Sequence, residues 1–368
     1  MENTYKFWNK YLEDLKIEIN KLCEEKKELI VDLHIHSNYS ADGKQTVKQI
    51  LQSTRDKGFD LISITDHDSV EVYNEVYDLV KDGLTKPLII PGIEFTTDNK
   101  EYGNQCHILQ LLINPKDKEL LKNVNKNYEA MYNRSKIQFK RLKENKAITE
   151  KLKKHKIRIS YDEYINYIYL NEMVPEYDTL CSYLMDKFKK SKITTFDILK
   201  LLEKYNTQDP YKDRLEFKKN RYKKLREKYK ETDMNLYNTR FLLSMLAVRE
   251  VDDDWWDEPS SGSLSVNSYG QIKIEELNER FITIFAHPTE SSLSVVDKII
   301  KNKKTIIGLE NNIRNEYKDI SKFYNILNKY NLCEIKGSDS HDNSLVLYEN
   351  MSFYKVNSNN IKELLRKE

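Results

Sequence analysis

Cysteine is scarce and scattered in this sequence. The four residues, Cys23, Cys106, Cys181 and Cys333, form no C-x-x-C pair. Neither a disulfide framework nor a zinc knuckle is therefore expected, and a reducing cytoplasm is the simplest compartment. Glycine (9) and proline (7) are few among 368 residues, which speaks against a loop-rich or low-complexity chain and for a helix-heavy, ordered one. An excess of either charge is lacking as well. Lys plus Arg is 61 and Asp plus Glu is 59, so bulk charge does not indicate a polyanionic partner. No apolar run approaches the ~18 residues that cross a bilayer. The first 28 residues carry charges throughout without an apolar core segment, so no secretory signal is expected. The expectation is a cytoplasmic protein with no membrane contact.

The length suits one large domain or two smaller ones. Residues 1–28 place Phe7, Trp8, Tyr11, Leu12, Leu15, Ile19 and Leu22 at helical spacing, which predicts an amphipathic helix packed on the body. Short apolar runs follow, each ending in polar or ionisable residues: Leu29–Ile35, Leu61–Thr65, Leu88–Ile93, Cys106–Ile113, Phe281–Ala286, Thr305–Leu309 and Leu332–Lys336. Their lengths and Ile, Val and Leu content suit buried parallel strands. Helical patterns such as Thr46–Lys57 and Ser294–Asn302 lie between them. That alternation is the rhythm of an α/β barrel or doubly wound sheet. It breaks over 116–280, where Lys, Glu, Tyr and Leu recur with helical period, so the expected layout is an N-terminal helix (1–28), a first barrel part (29–115), a helical insertion (116–280) and a second barrel part (281–368). The acidic, Trp-containing stretch 252–263 reads as an exposed loop.

Six of the seven histidines (His34, His36, His67, His107, His287 and His341) fall at or just beside the proposed strands, and His155 lies in a Lys-rich helical run. Carboxylates share those places: Asp32, Asp42, Asp66, Asp68, Glu94 and Asp339. In a parallel barrel the strand C-termini open on one rim, so residues distant in sequence converge there. Neutral imidazoles mixed with carboxylates are what divalent cations require. Side chains alternate along a strand, so Asp32-Leu33-His34-Ile35-His36 puts both imidazoles on one face. Each motif alone has a plain structural alternative. Two histidines can be core or solvated, Asp68 can be a helix N-cap, Glu94 can be a surface acid, and a lone strand histidine such as His107 can bond a carbonyl. The joint pattern is harder to attribute to packing, because Asp66-His67-Asp68 after an apolar run is costly to bury unless paired or metal-bound.

Taken in order, DLHIHS-x-x-S-x-DG, ITDHD, GIE, CH, FAHP and GSDSH resemble the motifs of the polymerase-and-histidinol-phosphatase (PHP) superfamily of metallophosphoesterases. The resemblance covers roughly 30–115 and 280–345. It implies a distorted (β/α)7 barrel with a large helical insertion, and two or three divalent ions (Mn, Zn or Fe). Position by position, it implies nine ligands: His34, His36, Asp42, His67, Glu94, His107, His287, Asp339 and His341. His34, His36, Glu94 and Asp339 would hold one ion, Glu94, His107 and His287 a second, and Asp42, His67 and His341 the third. Asp66, His67 and Glu94 would stand at the reacting centre, Glu94 as the bridge and Asp66 as an orienting group or base partner.

The layout is nearest to the stand-alone nucleotide phosphatases and 5′-to-3′ exonucleases of that superfamily. Their G-R-P-H signature is not found, and only Met173-Val174-Pro175-Glu176 lies near its place. The expected function is phosphate-ester hydrolysis by a metal-bridging hydroxide, on a nucleic acid or nucleotide. Arg314 is a candidate phosphate clamp with a surface ion pair as its plain alternative. Two other readings stand beside it: a histidinol-phosphatase-like phosphomonoesterase, and a metal-binding regulatory subunit of a partner ATPase. Residues 211–230 hold ten Lys and Arg with Tyr211, Phe217, Tyr222 and Tyr229 interleaved, which suits single-stranded nucleic acid or merely a solvated helix face. Lys218, Lys219, Arg221, Lys223 and Lys224 are the candidate contacts. Neutralising Lys218, Lys219, Lys223 and Lys224 together should weaken oligonucleotide binding and flatten its log–log salt slope by about 0.7 per lost phosphate contact. Unchanged binding in a salt titration would remove that reading.

Overall fold

The computed structural model describes residues 2–40, 43–98, 106–144, 149, 152–171, 175, 177–191, 271–302, 305–315, 317–342 and 347–366. Asp42 and the basic strip with Lys218, Lys219, Arg221, Lys223 and Lys224 lie outside them, as does the 252–263 loop. The chain divides into two units, residues 1–129 with 270–368, and residues 130–269.

In the first unit, α1 (Glu2–Glu25) buries Trp8, Leu15, Ile19, Leu22 and Cys23, the stripe that its spacing predicts. Trp8 is fully buried and meets Tyr73 edge-on at 5.7 Å, and the Tyr11 hydroxyl donates to the Ile89 carbonyl at 2.7 Å. Truncating Trp8 to alanine should cost about 3–5 kcal/mol, visible as a lowered denaturant midpoint; an unchanged midpoint would mean the helix is not docked.

Among the described residues nine strands follow: β1 (Glu28–Ile35), β2 (Leu61–Ile64), β3 (Leu88–Ile89), β4 (Gly92–Thr97), β5 (Cys106–Leu111), β6 (Ile282–Phe285), β7 (Ile306–Asn312), β8 (Cys333–Gly337) and β9 (Lys355–Asn357). They form two sheets, ordered β3-β2-β1-β9 and β4-β5-β6-β7-β8. β2 and β4 are buried along their whole length, as strands covered on both faces must be. Two isolated parallel bridges, Ile35 to Ser340 and His67 to Glu94, join the sheets at one end. β1, β2 and β4–β8 thereby make the distorted (β/α)7 barrel. Helices α2 (Val47–Asp56) and α3 (Val72–Lys81) cover its early strands. Thr46 caps α2 in a reciprocal capping box with Gln49.

Three details differ from the sequence expectation. Leu88–Ile93 is not one strand, because Pro91 has no N–H for the ladder and separates β3 from β4. β5 runs antiparallel to both β4 and β6. β9 is an additional strand, antiparallel to β1. Between β5 and β6 the described residues include the helices α4 (Lys118–Glu144), α5 (Tyr161–Leu170) and α6 (Tyr177–Lys190). The later helices α7 (Leu293–Asn302), α8 (Ser321–Tyr330) and α9 (Ser358–Arg366) return to the barrel pattern. Cys23, Cys106 and Cys333 are buried and form no disulfide among the described residues. Among the described residues no helix is long and apolar enough to cross a membrane.

Candidate metal centre

Alternation along β1 aims His34 and His36 to the same side, and their Nε2 atoms lie 3.0 Å apart. β4 delivers Glu94 opposite them. Its Oε2 is 3.2 Å from His34 Nε2, 3.2 Å from His36 Nε2 and 2.9 Å from His67 Nδ1. Its Oε1 is 3.2 Å from His107 Nδ1 and 3.0 Å from His287 Nε2. Asp339, just past β8, places Oδ1 3.2 Å from His36 Nε2 and 3.5 Å from His34 Nε2. The His341 ring stacks on that of His36 at 4.1 Å. Eight of the nine ligand candidates are described, and all eight converge. His107 opens β5, so in an all-parallel barrel it would sit at the far rim; the reversed strand brings it to this one.

Three residues here adopt left-handed backbone conformations: Asp68 (φ 50°), His287 (φ 28°) and Asp339 (φ 50°). Such geometry costs on the order of 1–3 kcal/mol per residue and persists only where neighbours impose it. Each of the three amides is tied to another strand of the site. Asp68 N donates to the Glu94 carbonyl at 2.9 Å, Asp339 N to the His34 carbonyl at 2.8 Å, and His287 N to the Glu310 carboxylate at 2.6 Å.

The donor set fits a divalent cation. Ligand atoms about 2.1 Å from one ion lie about 3.0 Å apart at octahedral angles and about 3.4 Å apart at tetrahedral ones. The separations around His34, His36, Glu94 and Asp339 span that interval. Glu94 Oε2 is buried and accepts no aligned hydrogen bond among the described residues, although three imidazoles surround it. Among the described residues three groups of donors could each hold an ion: His34, His36, Glu94 and Asp339; His67, Glu94 and His107; and His36, His67 and His341. Without a cation, protons must take its place. Burial alone would favour neutral Glu94, but the imidazoles, His34 foremost, hold it well below the usual carboxylate range. Burial likewise opposes charge on His34, yet Glu310, Glu94 and Asp339 pull its pKa well above the ordinary value.

Among known families, the PHP domain matches residues 32–232, more than half of the chain. The chain belongs to the PHP domain family. An inferred metal-dependent phosphoesterase from Bifidobacterium adolescentis superimposes with a TM-score of 0.53 at 16% identity, covering 92% of this chain and 96% of that one. That likeness supports the barrel fold. An amidohydrolase from Chromobacterium violaceum, solved with sulfate and no metal, gives 0.46 at 14% identity over 89% and 98% of the two chains. A two-domain protein from Bacteroides vulgatus containing a predicted PHP-like metal-dependent phosphoesterase gives 0.33 at 13% over 87% and 53%. No curated protein matches the chain. The PHP domain and its donor cluster make this protein a metal-dependent hydrolase.

Other residues of the PHP site support the donors. Asp66 is buried beneath the turn after β1, where Oδ1 accepts from Ser37 N at 2.6 Å and Oδ2 from the Ser37 hydroxyl at 2.7 Å. Both oxygens thus fix the chain at Ser37, where it leaves β1. Asp68 accepts from Thr96 N at 3.0 Å and from Asn127 Nδ2 at 2.6 Å. Burial pushes the Asp32 carboxyl up to about 6, against hydrogen bonds from Ser338, Tyr348 and His34. Arg314 is exposed, and His155 belongs to the second unit.

Glu310 lies outside the motifs that carry the family resemblance. It ends the apolar part of β7 in Gly308-Leu309-Glu310, the same glycine–aliphatic–acid pattern as Gly92-Ile93-Glu94, and that parallel was the available signal.

Proposed function

We propose that this protein is a metal-dependent phosphoesterase whose substrates are nucleotides or nucleic acid. The observation that supports it most is the Glu94 carboxylate, fully buried and within 3.2 Å of five imidazoles. His34, His36, Glu94 and Asp339 would hold one ion, and Glu94, His107 and His287 a second, with His67 beside both. His36, His67 and His341, with Asp42, would hold a third. Bound divalent ions supply Lewis acidity toward phosphoryl oxygens and make a hydroxide nucleophile available near neutral pH.

The chain's own residues divide into a closed floor and an open rim. His34, His36 and Glu94 have fully buried side chains, whereas His107 and His287 are 29% and 30% exposed, and Asp339 and His341 are 19% and 22% exposed. Substrate therefore meets the centre from the rim, over His107, His287, Asp339 and His341. Asp66, with both oxygens accepting from Ser37, would act by holding the turn in place. Leaving-group protonation would fall to water at the rim. Carboxylate and imidazole walls exclude bulk solvent from the floor, which strengthens electrostatic stabilisation of the developing charge.

The test is a metal-supplemented screen with labelled DNA and RNA oligonucleotides, nucleoside bisphosphates and histidinol phosphate. Turnover of a nucleotide or oligonucleotide, abolished by chelator, is expected. Turnover of histidinol phosphate alone would refute the nucleotide assignment, and no turnover of any ester with metal bound would refute the phosphoesterase.

A further inference from the structure

The geometry points to Glu310 as the positioning residue of the metal centre, acting through His34 and His287 and not as a ligand. The inference rests on the proposed metal-dependent function. Both Glu310 oxygens face His34 Nδ1, at 3.0 and 2.9 Å. Oε2 also accepts the His287 amide at 2.6 Å, and Oε1 accepts Asn312 Nδ2 at 2.9 Å. The residue is fully buried, and a buried carboxylate persists only when donors surround it.

Two consequences follow for the donors. A proton held on His34 Nδ1 by Glu310 leaves the Nε2 lone pair directed at His36, Glu94 and Asp339. Without that proton placement the ring could present the wrong tautomer or turn away. The same carboxylate pins the His287 backbone in its left-handed conformation, which sends that ring to Glu94 Oε1. One side chain on β7 thus sets a ligand on β1 and a ligand after β6. The space it occupies is reserved by sequence: a Cβ on Gly337 would collide with Glu310 Oε1 and come within 2.7 Å of His34 Cβ. Glycine at this position lets the carboxylate stand against the His34 ring.

Glu310→Gln keeps the shape but removes the charge and replaces one acceptor with an NH2, so either the His287 amide or Asn312 Nδ2 loses its partner, and His34 Nδ1–H faces one oxygen instead of two. Two quantities are read on purified full-length chain: affinity for Co2+ or Mn2+ by titration, and the ligand-field absorption of the Co2+ form. Glu310→Gln should weaken metal affinity about 10–100-fold and shift the Co2+ spectrum, with the metal-free protein still folded by circular dichroism. Glu310→Asp, which keeps the charge, should recover part of the affinity. Gly337→Ala displaces the carboxylate without changing charge and should reproduce the spectral shift; it carries the test if Glu310→Gln does not fold. Wild-type affinity and an unaltered spectrum in Glu310→Gln would overturn the inference. Wild-type protein that binds no Co2+ or Mn2+ would overturn the proposed function along with it.

Discussion

Replacing Glu94 with glutamine should lower phosphoester turnover about 10³-fold or more while leaving the barrel folded. The magnitude is at the upper end of what one preorganised charge-stabilising group contributes, and Glu94 would contribute to two ion positions at once. Glutamine preserves the volume and lets β4 pack as before. It removes the negative charge that five imidazoles share, and it presents an amide NH2 where a lone pair is needed. Metal content should fall with activity. His36→Ala and Asp339→Ala should also lose turnover, because each removes a donor from the group with His34. Glu94→Gln retaining near-wild-type kcat at full metal content would contradict the bridge assignment. Steady-state kinetics beside elemental analysis separates the two outcomes.

Removing the metal should cost stability as well as activity. Chelated protein retains a buried set of imidazoles around Glu94, with a proton on His34 as a poor substitute for the ion. Rebinding stabilises the folded state by about 4 kcal/mol when free metal is ~1,000 times Kd. For a folding unit of 150–250 residues that corresponds to a rise in Tm on the order of 10 °C. A thermal melt with and without Mn2+ or Zn2+ after chelation reads it directly. The rise should vanish in Glu94→Gln. A Tm indifferent to every divalent ion would mean the cluster is held by protons alone.

Much of this centre was legible before any coordinates. The His34/His36 pairing follows from strand alternation, and the convergence of His67, Glu94, His287, Asp339 and His341 follows from the barrel rhythm. What stayed hidden depended on direction and on neighbours. His107 reaches the rim only because β5 is reversed. The cue was the short 98–105 connection from β4, since a parallel crossover needs a dozen or more residues. Pro91 divides β3 from β4, a local effect that the apolar run masks. Glu310 looked like an ordinary strand-end acid, because its role appears only when β7 and β1 are seen to place its carboxylate against His34. The resemblance implied an orienting group or base partner at Asp66, and only the folded chain shows its two oxygens accepting from Ser37.

Eight side chains drawn from six strands or their ends surround divalent cations in this account. Anomalous diffraction from crystals grown with excess Mn2+, recorded at the manganese edge, tests it most directly. Peaks should lie among His34, His36, Glu94 and Asp339, and between Glu94, His107 and His287. A crystal with manganese in the mother liquor, intact side chains and no anomalous peak within ligand distance of Glu94 would contradict it.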